Sequence, residues 1–311
     1  MQLLRNLKPS TPGVGGYVAT LGAFDGIHLG HRVLIARARA LAREAGLASM
    51  VLSFEPLPKE YFSPAPSVAR LTTFRERWRL LASDGPDVFC VLPFNARLRA
   101  MRAAQFAGLL ASAGVRHMVI GHDFRAAYRG EADVAWFQQH GPALGLAIEV
   151  VPPVQESGLR VSSGLIREAL AAGNLPQAAR LLGRPYSMFG RVVRGDQLGR
   201  TLGYPTANLR LARRQTPMEG IFAVRVRGIE HGRGLPGVAS LGTRPTVGGT
   251  RPLLEAHVFD FSGDLYGREI EVEFVAWLRE ERRFDSVALM VEQIHRDAAD
   301  ARAVLGMIVR R

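Results

Sequence analysis

The hydrophobic pattern of this chain changes near residue 184, and this change constrains the fold more than any other feature. Before it, strand-like segments that are apolar along their whole length alternate with helical patterns. Strands of that kind are buried on both faces, which is typical of a parallel sheet covered by helices. The predicted strands are residues 17–23, 48–54, 88–93, 116–121 and 147–151.

After residue 184 the strand-like segments are short, and glycine and proline separate them. Several alternate apolar with polar residues, which predicts an antiparallel barrel or sandwich. An amphipathic helix is predicted over about 285–309, with Val287, Met290, Val291 and Ile294 on one face. The predicted fold is therefore α/β: a Rossmann-like domain with a parallel sheet over residues 1–184, then an antiparallel β-barrel over residues 185–311 that ends in a long helix.

Composition narrows the class of protein. The single cysteine, Cys90, excludes a disulfide framework and a cysteine-based zinc site, and its apolar neighbours predict a core residue. No signal peptide or membrane-length apolar stretch is visible, so we expect a cytoplasmic protein with no membrane partner. The net charge of +12 fits an anionic ligand or arginines on solvated faces. No basic block with interleaved aromatic residues marks a nucleic-acid face.

The densest functional motif lies where the first predicted strand ends and a helix begins. Ligands bind beyond the carboxyl ends of the strands in open parallel sheets, and the start of a helix favours phosphate. His28 and His31 share one helical face, from which two imidazoles would stabilise the charge that develops as pyrophosphate leaves. A zinc site is the alternative, but no third ligand has suitable spacing. The motif reads Gly22-Ala23-Phe24-Asp25-Gly26-Ile27-His28-Leu29-Gly30-His31.

A second motif, residues 160–167, starts a later helix. Its hydroxyls and amides can bind phosphate oxygens, and Arg167 can pair with the anion, whereas the alternative is an ordinary serine N-cap. The motif reads Arg160-Val161-Ser162-Ser163-Gly164-Leu165-Ile166-Arg167. Together the two motifs resemble the adenylyltransferase superfamily, whose His-x-Gly-His signature is here residues 28–31.

The second half carries a Gly-rich polar segment over residues 195–208. The segment lacks P-loop spacing, but its backbone amides can cover phosphates. Thr206 and Asn208 offer the hard oxygen ligands that suit Mg²⁺, the alternative being a β-turn. Glu255 is a carboxylate within an apolar strand, and it could accept the proton of a substrate hydroxyl as a general base. The alternative for Glu255 is an outward-facing strand residue.

With these motifs in order, the chain resembles the prokaryotic bifunctional riboflavin kinase/FAD synthetase family over nearly its whole length. The resemblance also rests on Phe54-Glu55-Pro56-Leu57-Pro58, Gly121-His122-Asp123-Phe124-Arg125, Pro205-Thr206-Ala207-Asn208 and Gly263-Asp264-Leu265-Tyr266-Gly267. It implies that the C-terminal domain phosphorylates riboflavin with ATP, giving FMN and ADP. It implies that the N-terminal domain transfers AMP from a second ATP to FMN, giving FAD and pyrophosphate, and that both reactions use Mg²⁺.

The resemblance also implies the roles of individual residues. Glu255 is the kinase base, His28 and His31 serve adenylyl transfer, and Thr206 and Asn208 hold the metal. The flavin contacts are Asp123 and Phe124 in the N-terminal domain and Arg279 and Phe284 in the C-terminal domain. The ATP contacts are Gly22, Phe24, Asp25, Gly26, His28, His31, Ser162, Ser163, Arg167, Gly195, Gly199, Thr206 and Asn208.

The chain departs from the family pattern at three places in these motifs. Ala126-Ala127 stands where the family usually has Phe-Gly, Gly164 stands where it usually has Thr, and Leu198 stands where it often has Arg. The first two departures fall in the N-terminal domain. A riboflavin kinase with a degenerate first domain is therefore the nearest alternative function. A nucleic-acid-binding protein is the alternative from another class. The main prediction is a pair of small-molecule sites with no nucleic-acid partner.

Overall fold

A computed structural model shows two compact units, Met1–Val68 with Phe74–Ser162 and Ala69–Thr73 with Ser163–Arg311. The predicted boundary at residue 184 stays a prediction. Among the described residues, no helix is both long enough and apolar enough to cross a membrane. The structure describes residues 1–9, 15–63, 68–195, 199, 202–230, 232, 234–246 and 249–307.

The first unit is built on a parallel sheet, as predicted. Its described strands are β1 (Gln2–Arg5), β2 (Tyr17–Leu21), β3 (Ala48–Glu55), β4 (Val88–Pro93), β5 (Val115–Gly121), β6 (Arg125–Ala126), β7 (Ala132–Asp133), β8 (Ala147–Val151), β9 (Gln155–Glu156) and β10 (Leu159–Arg160). The sheet has the order β1-β4-β3-β2-β5-β8, and the other four strands form two short ribbons. Each neighbouring pair in the sheet is parallel.

The longest helix of this unit, α1, packs on the sheet through an apolar stripe. Helix α1 starts after the N-cap His28, buries Ile35, Ala38, Leu41 and Ala42, and ends at Gly46 in the left-handed conformation. The described helices of the unit are α1 (Leu29–Ala45), α2 (Pro58–Phe62), α3 (Phe74–Asp84), α4 (Ala96–Ala100), α5 (Ala103–Ser112) and α6 (Val134–His140), with 3₁₀ turns at Tyr128–Gly130 and Pro142–Leu144.

The strand order of the sheet reverses beside β2. From β2 the chain continues to β3 and β4 on one side, whereas β5 and β8 lie on the other side. The loops that follow β2 and β5 therefore leave the carboxyl edge of the sheet at the point where strand order reverses, which is where open α/β sheets bind ligands.

At the opposite, amino-terminal edge of the sheet, Asp87 accepts hydrogen bonds from the Ser49 hydroxyl (2.7 Å) and amide (2.8 Å). These bonds lower the pKa of Asp87.

The second unit holds an antiparallel barrel, which confirms the second half of the predicted fold. The closed order is β11-β12-β15-β14-β13-β16. Its described elements are α7 (Ser163–Ala171), α8 (Leu175–Leu182), β11 (Ser187–Val193), β12 (Ala207–Arg210), β13 (Gly220–Arg227), β14 (Leu235–Thr246), β15 (Gly249–Val258), β16 (Glu269–Arg279) and the final helix α9 (Val287–Val304).

Helix α9 packs through its second half. Ala298 and Ala301 are buried and join an apolar cluster with Ile221 and Ala223 of the barrel. In the first half, where the sequence places an apolar face, Val287 keeps 60% of its surface exposed. The small side chains of Ala298 and Ala301 allow the second half of α9 to approach the barrel closely, and the buried residues of the helix lie in this half.

Candidate active sites

The loop between β2 and α1 has an unusual backbone. Phe24, Gly26 and Ile27 have positive φ angles of 48°, 92° and 43°. The side chains of Phe24 and Ile27 are completely buried and pack in one apolar cluster with Phe89. Non-glycine residues keep such angles only where their surroundings enforce them, and such residues cluster at functional sites. The buried Phe24 ring lies 4.9 Å from the His31 ring, and the contact of Phe24 with ATP stays a prediction.

His28 and His31 lie side by side at the start of α1, as the motif predicts. Their rings stack with centroids 3.6 Å apart and an angle of 15° between the planes. The Nδ1 atom of His28 accepts a hydrogen bond from the His31 amide at 3.3 Å. A neutral His28 therefore carries its proton on Nε2, which makes Nε2 the donor of this ring. A Cβ atom at Gly30 would lie 3.2 Å from the His28 ring, so a glycine leaves room for the imidazole.

The second phosphate motif contains the position in the sequence at which the first unit ends and the second continues. Ser162 belongs to the first unit, whereas Ser163 and Arg167 belong to the second. Ser163 is the first residue of α7, as predicted. The Arg167 guanidinium donates to the carbonyls of Ala69 (2.6 Å) and Ser163 (3.1 Å). That these residues join the histidines in one ATP site stays a prediction.

The predicted flavin loop follows β5 at the same edge of the sheet as the histidine loop. The carboxylate of Asp123 forms an ion pair with Arg160, the first residue of the second phosphate motif. The Phe124 ring lies 5.9 Å from the Phe137 ring, and it packs against the core of the first unit. The structure thus brings Asp123 and the start of the second motif together.

The structure also places a group of aromatic residues at the carboxyl ends of β3 and β4. The sequence motifs do not indicate this group. Phe94 lies within 6 Å of the rings of Phe54 (5.8 Å), Tyr61 (5.2 Å) and Phe62 (5.6 Å). Phe62 is 55% exposed, and the Arg99 guanidinium lies 5.3 Å from its ring centroid. The residues are spread over 40 positions of sequence, so only the parallel sheet places them together.

In the second unit, the predicted metal ligand and the predicted base occupy one row of the barrel. Asn208 on β12 is the register partner of Glu255 on β15, and Glu255 is the partner of Ser240 on β14. Side chains of directly opposed residues in an antiparallel sheet point to the same face and lie about 5 Å apart. Asn208 is 6% exposed. The structure therefore brings Asn208 and Glu255 together, as the predicted kinase site requires.

The Gly-rich segment lies against the same residues. A Cβ atom at Gly195 would lie 2.5 Å from Oδ1 of Asn208, and one at Gly199 would lie 3.5 Å from Oγ1 of Thr206. Gly195 therefore leaves the space that the Asn208 amide occupies. Residues 196–198, 200 and 201 lie outside the described part of the chain.

Two imidazoles hold the segment that leads into β12. Nδ1 of His257 is 2.8 Å from the Pro205 carbonyl, and the Tyr204 hydroxyl is 3.1 Å from Nδ1 of His295 on α9. The His257 and Tyr204 rings are also in edge contact at 5.1 Å. His257 lies two residues after Glu255, on the same face of β15. One strand thus supplies the predicted base and a contact that fixes the backbone beside Thr206.

The predicted flavin contacts of the kinase have protein partners. The Arg279 guanidinium donates to both carboxylate oxygens of Asp297, at 2.8 Å and 2.6 Å. Asp297 is 4% exposed, so this pair fastens the end of β16 to α9. Phe284 lies under the guanidinium groups of Arg279 (5.9 Å) and Arg282 (4.9 Å). If Arg279 contacts the flavin, its guanidinium must bind the flavin and Asp297 at the same time.

Cys90 has no place in this chemistry. It is completely buried in β4, and burial raises the pKa of its thiol to about 12. A thiol with such a pKa is not a nucleophile at neutral pH. The core position predicted for Cys90 is confirmed.

Comparison with known proteins covers both units. A family model described as FAD synthetase matches residues 12–165, and one described as Riboflavin kinase matches residues 182–305. The Bifunctional riboflavin kinase/FMN adenylyltransferase of Pseudomonas fluorescens is 44% identical over 98% of both chains. The protein of the same name from Escherichia coli (strain K12) is 42% identical over 94% of both chains. The chain belongs to this family.

A solved structure has a similar fold. A Streptococcus pneumoniae crystal structure, described as that of a macrolide-efflux protein, has a TM-score of 0.83 and 30% sequence identity. It covers 97% of this chain, and the match covers 99% of that chain. The efflux activity named for that protein is not assigned to this chain. The structural similarity supports the fold described above.

Proposed function

We propose that the second unit phosphorylates riboflavin with ATP, and that the first unit adenylylates the resulting FMN to give FAD and pyrophosphate. The observation that carries the proposal is that each family model covers a separate candidate site. The histidine loop lies within the match to FAD synthetase. The Asn208–Glu255 pair lies within the match to riboflavin kinase.

Adenylyl transfer needs donors aimed at the phosphates of ATP. The loop after β2 ends at the start of α1, where backbone amides and the helix dipole attract an anion. Nε2 of His28 and the adjacent ring of His31 are the proposed donors to the phosphate oxygens. Their charge stabilisation would increase as pyrophosphate leaves, so they would bind the transition state more strongly than ATP.

The isoalloxazine ring of FMN needs a flat apolar surface. The rings of Phe54, Tyr61, Phe62 and Phe94 pack edge to face at the carboxyl edge of the sheet, and the exposed ring of Phe62 offers such a surface. Offset stacking and edge contacts between aromatic rings contribute about 0.5–1.5 kcal/mol beyond burial. We therefore place the FMN ring on this group, with Asp123 and Phe124 as further contacts.

Riboflavin phosphorylation needs a base and a means of neutralising phosphate charge. Glu255 is the proposed acceptor of the proton from the terminal ribityl hydroxyl. The Thr206 hydroxyl and the Asn208 amide oxygen are hard donors beside two glycines whose missing side chains leave the donors room, which fits Mg²⁺. A bound Mg²⁺ would neutralise charge on the phosphates of ATP.

Product analysis tests the proposal directly. The purified protein is incubated with riboflavin, ATP and Mg²⁺, and flavins are separated by chromatography. The account predicts FMN first and FAD later, with pyrophosphate released as FAD forms. FMN as the only product, including when FMN itself is supplied as substrate, would show that the first unit has another role.

A further inference from the structure

The side chain of Arg77 lies beneath the loop that carries the two histidines. Arg77 is the fourth residue of α3 and is completely buried. Its Nη1 donates to the Ala23 carbonyl (3.1 Å) and the Ser53 hydroxyl (2.7 Å). Its Nη2 donates to the Phe54 carbonyl (3.3 Å) and the Glu55 carboxylate (2.5 Å). One guanidinium therefore joins the histidine loop to the carboxyl end of β3.

The carbonyl of Ala23 is the point where the loop is held. It also accepts a hydrogen bond from the Ser53 hydroxyl at 3.0 Å. The next residue, Phe24, is the first of the residues with positive φ. Strained backbone persists only where neighbouring contacts over-determine it, and two donors on one carbonyl are such contacts. The contacts stand immediately before the strained turn that leads to His28.

The chemistry of the Arg77 side chain suits this task. A guanidinium is planar, always charged and has five donors in a fixed fork, so it can fix several acceptors at once. A lysine at position 77 would offer a point charge with a different geometry. Catalysis by oriented donors is sensitive to small displacements, because a misplacement of about 1 Å can cost about a hundredfold in rate.

We propose that Arg77 and Ser53 are positioning residues for adenylyl transfer. They fix the Ala23 carbonyl, and through it the loop that places His28 and His31. Neither residue is assigned contact with ATP or FMN. The inference rests on the proposed assignment of adenylyl transfer to the first unit.

The chain supplies a matched control on the same strand. Ser49 and Ser53 both lie on β3, are buried (2% and 0% exposed) and donate hydroxyl hydrogen bonds. The Ser49 hydroxyl binds Asp87 at the amino-terminal edge of the sheet, roughly 13 Å from Ser53 at about 3.3 Å per residue. Ser49→Ala and Ser53→Ala thus remove the same group, but only the second removes a hydrogen bond to the loop.

The test measures FAD formation from supplied FMN and ATP, well below the melting temperature of each variant. Ser53→Ala and Arg77→Lys should lower kcat at least about tenfold with a smaller change in KM, because the loss concerns orientation. Amide hydrogen exchange of peptides covering residues 22–31 should become faster in both variants. Ser49→Ala should leave kcat and the exchange of this loop unchanged, whatever its effect on stability.

Two results would overturn the inference. One is a Ser53→Ala kcat equal to that of Ser49→Ala in a parent protein that makes FAD. The other is an unchanged exchange rate over residues 22–31 in both Ser53→Ala and Arg77→Lys. If the parent makes no FAD, the proposed function fails, but the exchange measurement still decides whether these residues hold the loop.

Discussion

At the scale of single residues, Ala127 combines a side chain with a backbone conformation that usually requires glycine. Its φ and ψ are 63° and −168°, a region that is essentially restricted to glycine. The family usually has glycine here, and this chain places a Cβ atom instead. The local cost in strain is about 1–3 kcal/mol.

Ala127→Gly should therefore stabilise the protein. The relief of strain, about 1–3 kcal/mol, exceeds the entropic cost of glycine, about 0.5–1 kcal/mol. We expect a net gain of roughly 0.5–2 kcal/mol in the free energy of unfolding, measured with a chemical denaturant. Ala126→Gly is the control, because Ala126 lies in β6 without a positive φ, and it should destabilise. Equal destabilisation by both variants would show that Ala127 carries no strain.

Glu255→Gln should separate the two activities. The amide keeps the shape of the carboxylate but cannot accept the proton, and loss of a general base typically costs about 10²–10⁴-fold in rate. FMN formation should fall by this factor, while FAD formation from supplied FMN stays at the parent rate in the same sample. A kinase rate close to that of the parent would eliminate Glu255 as the base.

Single residues also show the limit of prediction from sequence. The roles of His28, His31, Asn208 and Glu255 stay predictions, but these residues were identifiable from the sequence because their motifs combine glycines, hydroxyls and charges in a fixed order. Arg77 was not, because α3 has arginines at alternate positions and the helical pattern does not show which one is buried. Its acceptors lie 22 to 54 residues away, so only the folded sheet shows its role.

At the scale of elements, strands with continuous apolar runs were predicted well. Strand β1 was missed because it is short and half-exposed at the sheet edge, and β12 was missed because its residues looked like a glycine-rich turn. Three of the four residues of β12, Ala207, Asn208 and Leu209, are buried. Residues predicted as a loop therefore form a strand that pairs with β15 and carries Asn208.

The contact between β15 and the start of β12 predicts an effect on the kinase alone. His257→Phe keeps an aromatic ring beside Tyr204 but removes the hydrogen bond to the Pro205 carbonyl. Loss of about 0.5–1.5 kcal/mol should lower kcat/KM for FMN formation by about two- to tenfold. In the first unit, His140→Phe removes a similar bond to the Trp136 carbonyl and should not change FMN formation. An equal effect of both variants would contradict the positional role of His257.

At the scale of the whole molecule, the barrel unit contains more than the barrel. Helices α7 and α8 and the segment Ala69–Thr73 belong to it. The Tyr186 hydroxyl donates to the Leu71 carbonyl at 3.1 Å, across 115 positions of sequence. The sequence places a change of pattern near residue 184, but no local pattern reveals a contact over such a distance.

This organisation predicts that a C-terminal fragment is more stable when it begins before α7 and α8 than when it begins after them. A fragment of residues 185–311 lacks α8, which buries Leu175, Ala178, Leu181 and Leu182. A fragment of residues 163–311 retains these side chains. It should melt at least about 5 °C higher, since about 1 kcal/mol shifts the melting temperature of a domain of this size by about 2–8 °C. Equal melting temperatures, measured by circular dichroism, would show that α7 and α8 do not support the barrel.

The central claim is that one chain holds two independent ATP-dependent sites, and paired variants test it most directly. The parent, Glu255→Gln and His28→Ala/His31→Ala proteins are each given riboflavin or FMN, with ATP and Mg²⁺, and FMN and FAD are quantified. The account predicts that the histidine variant makes FMN at the parent rate but at least about a hundredfold less FAD. Glu255→Gln should make FAD only from supplied FMN. Loss of both activities in either correctly folded variant would contradict the account.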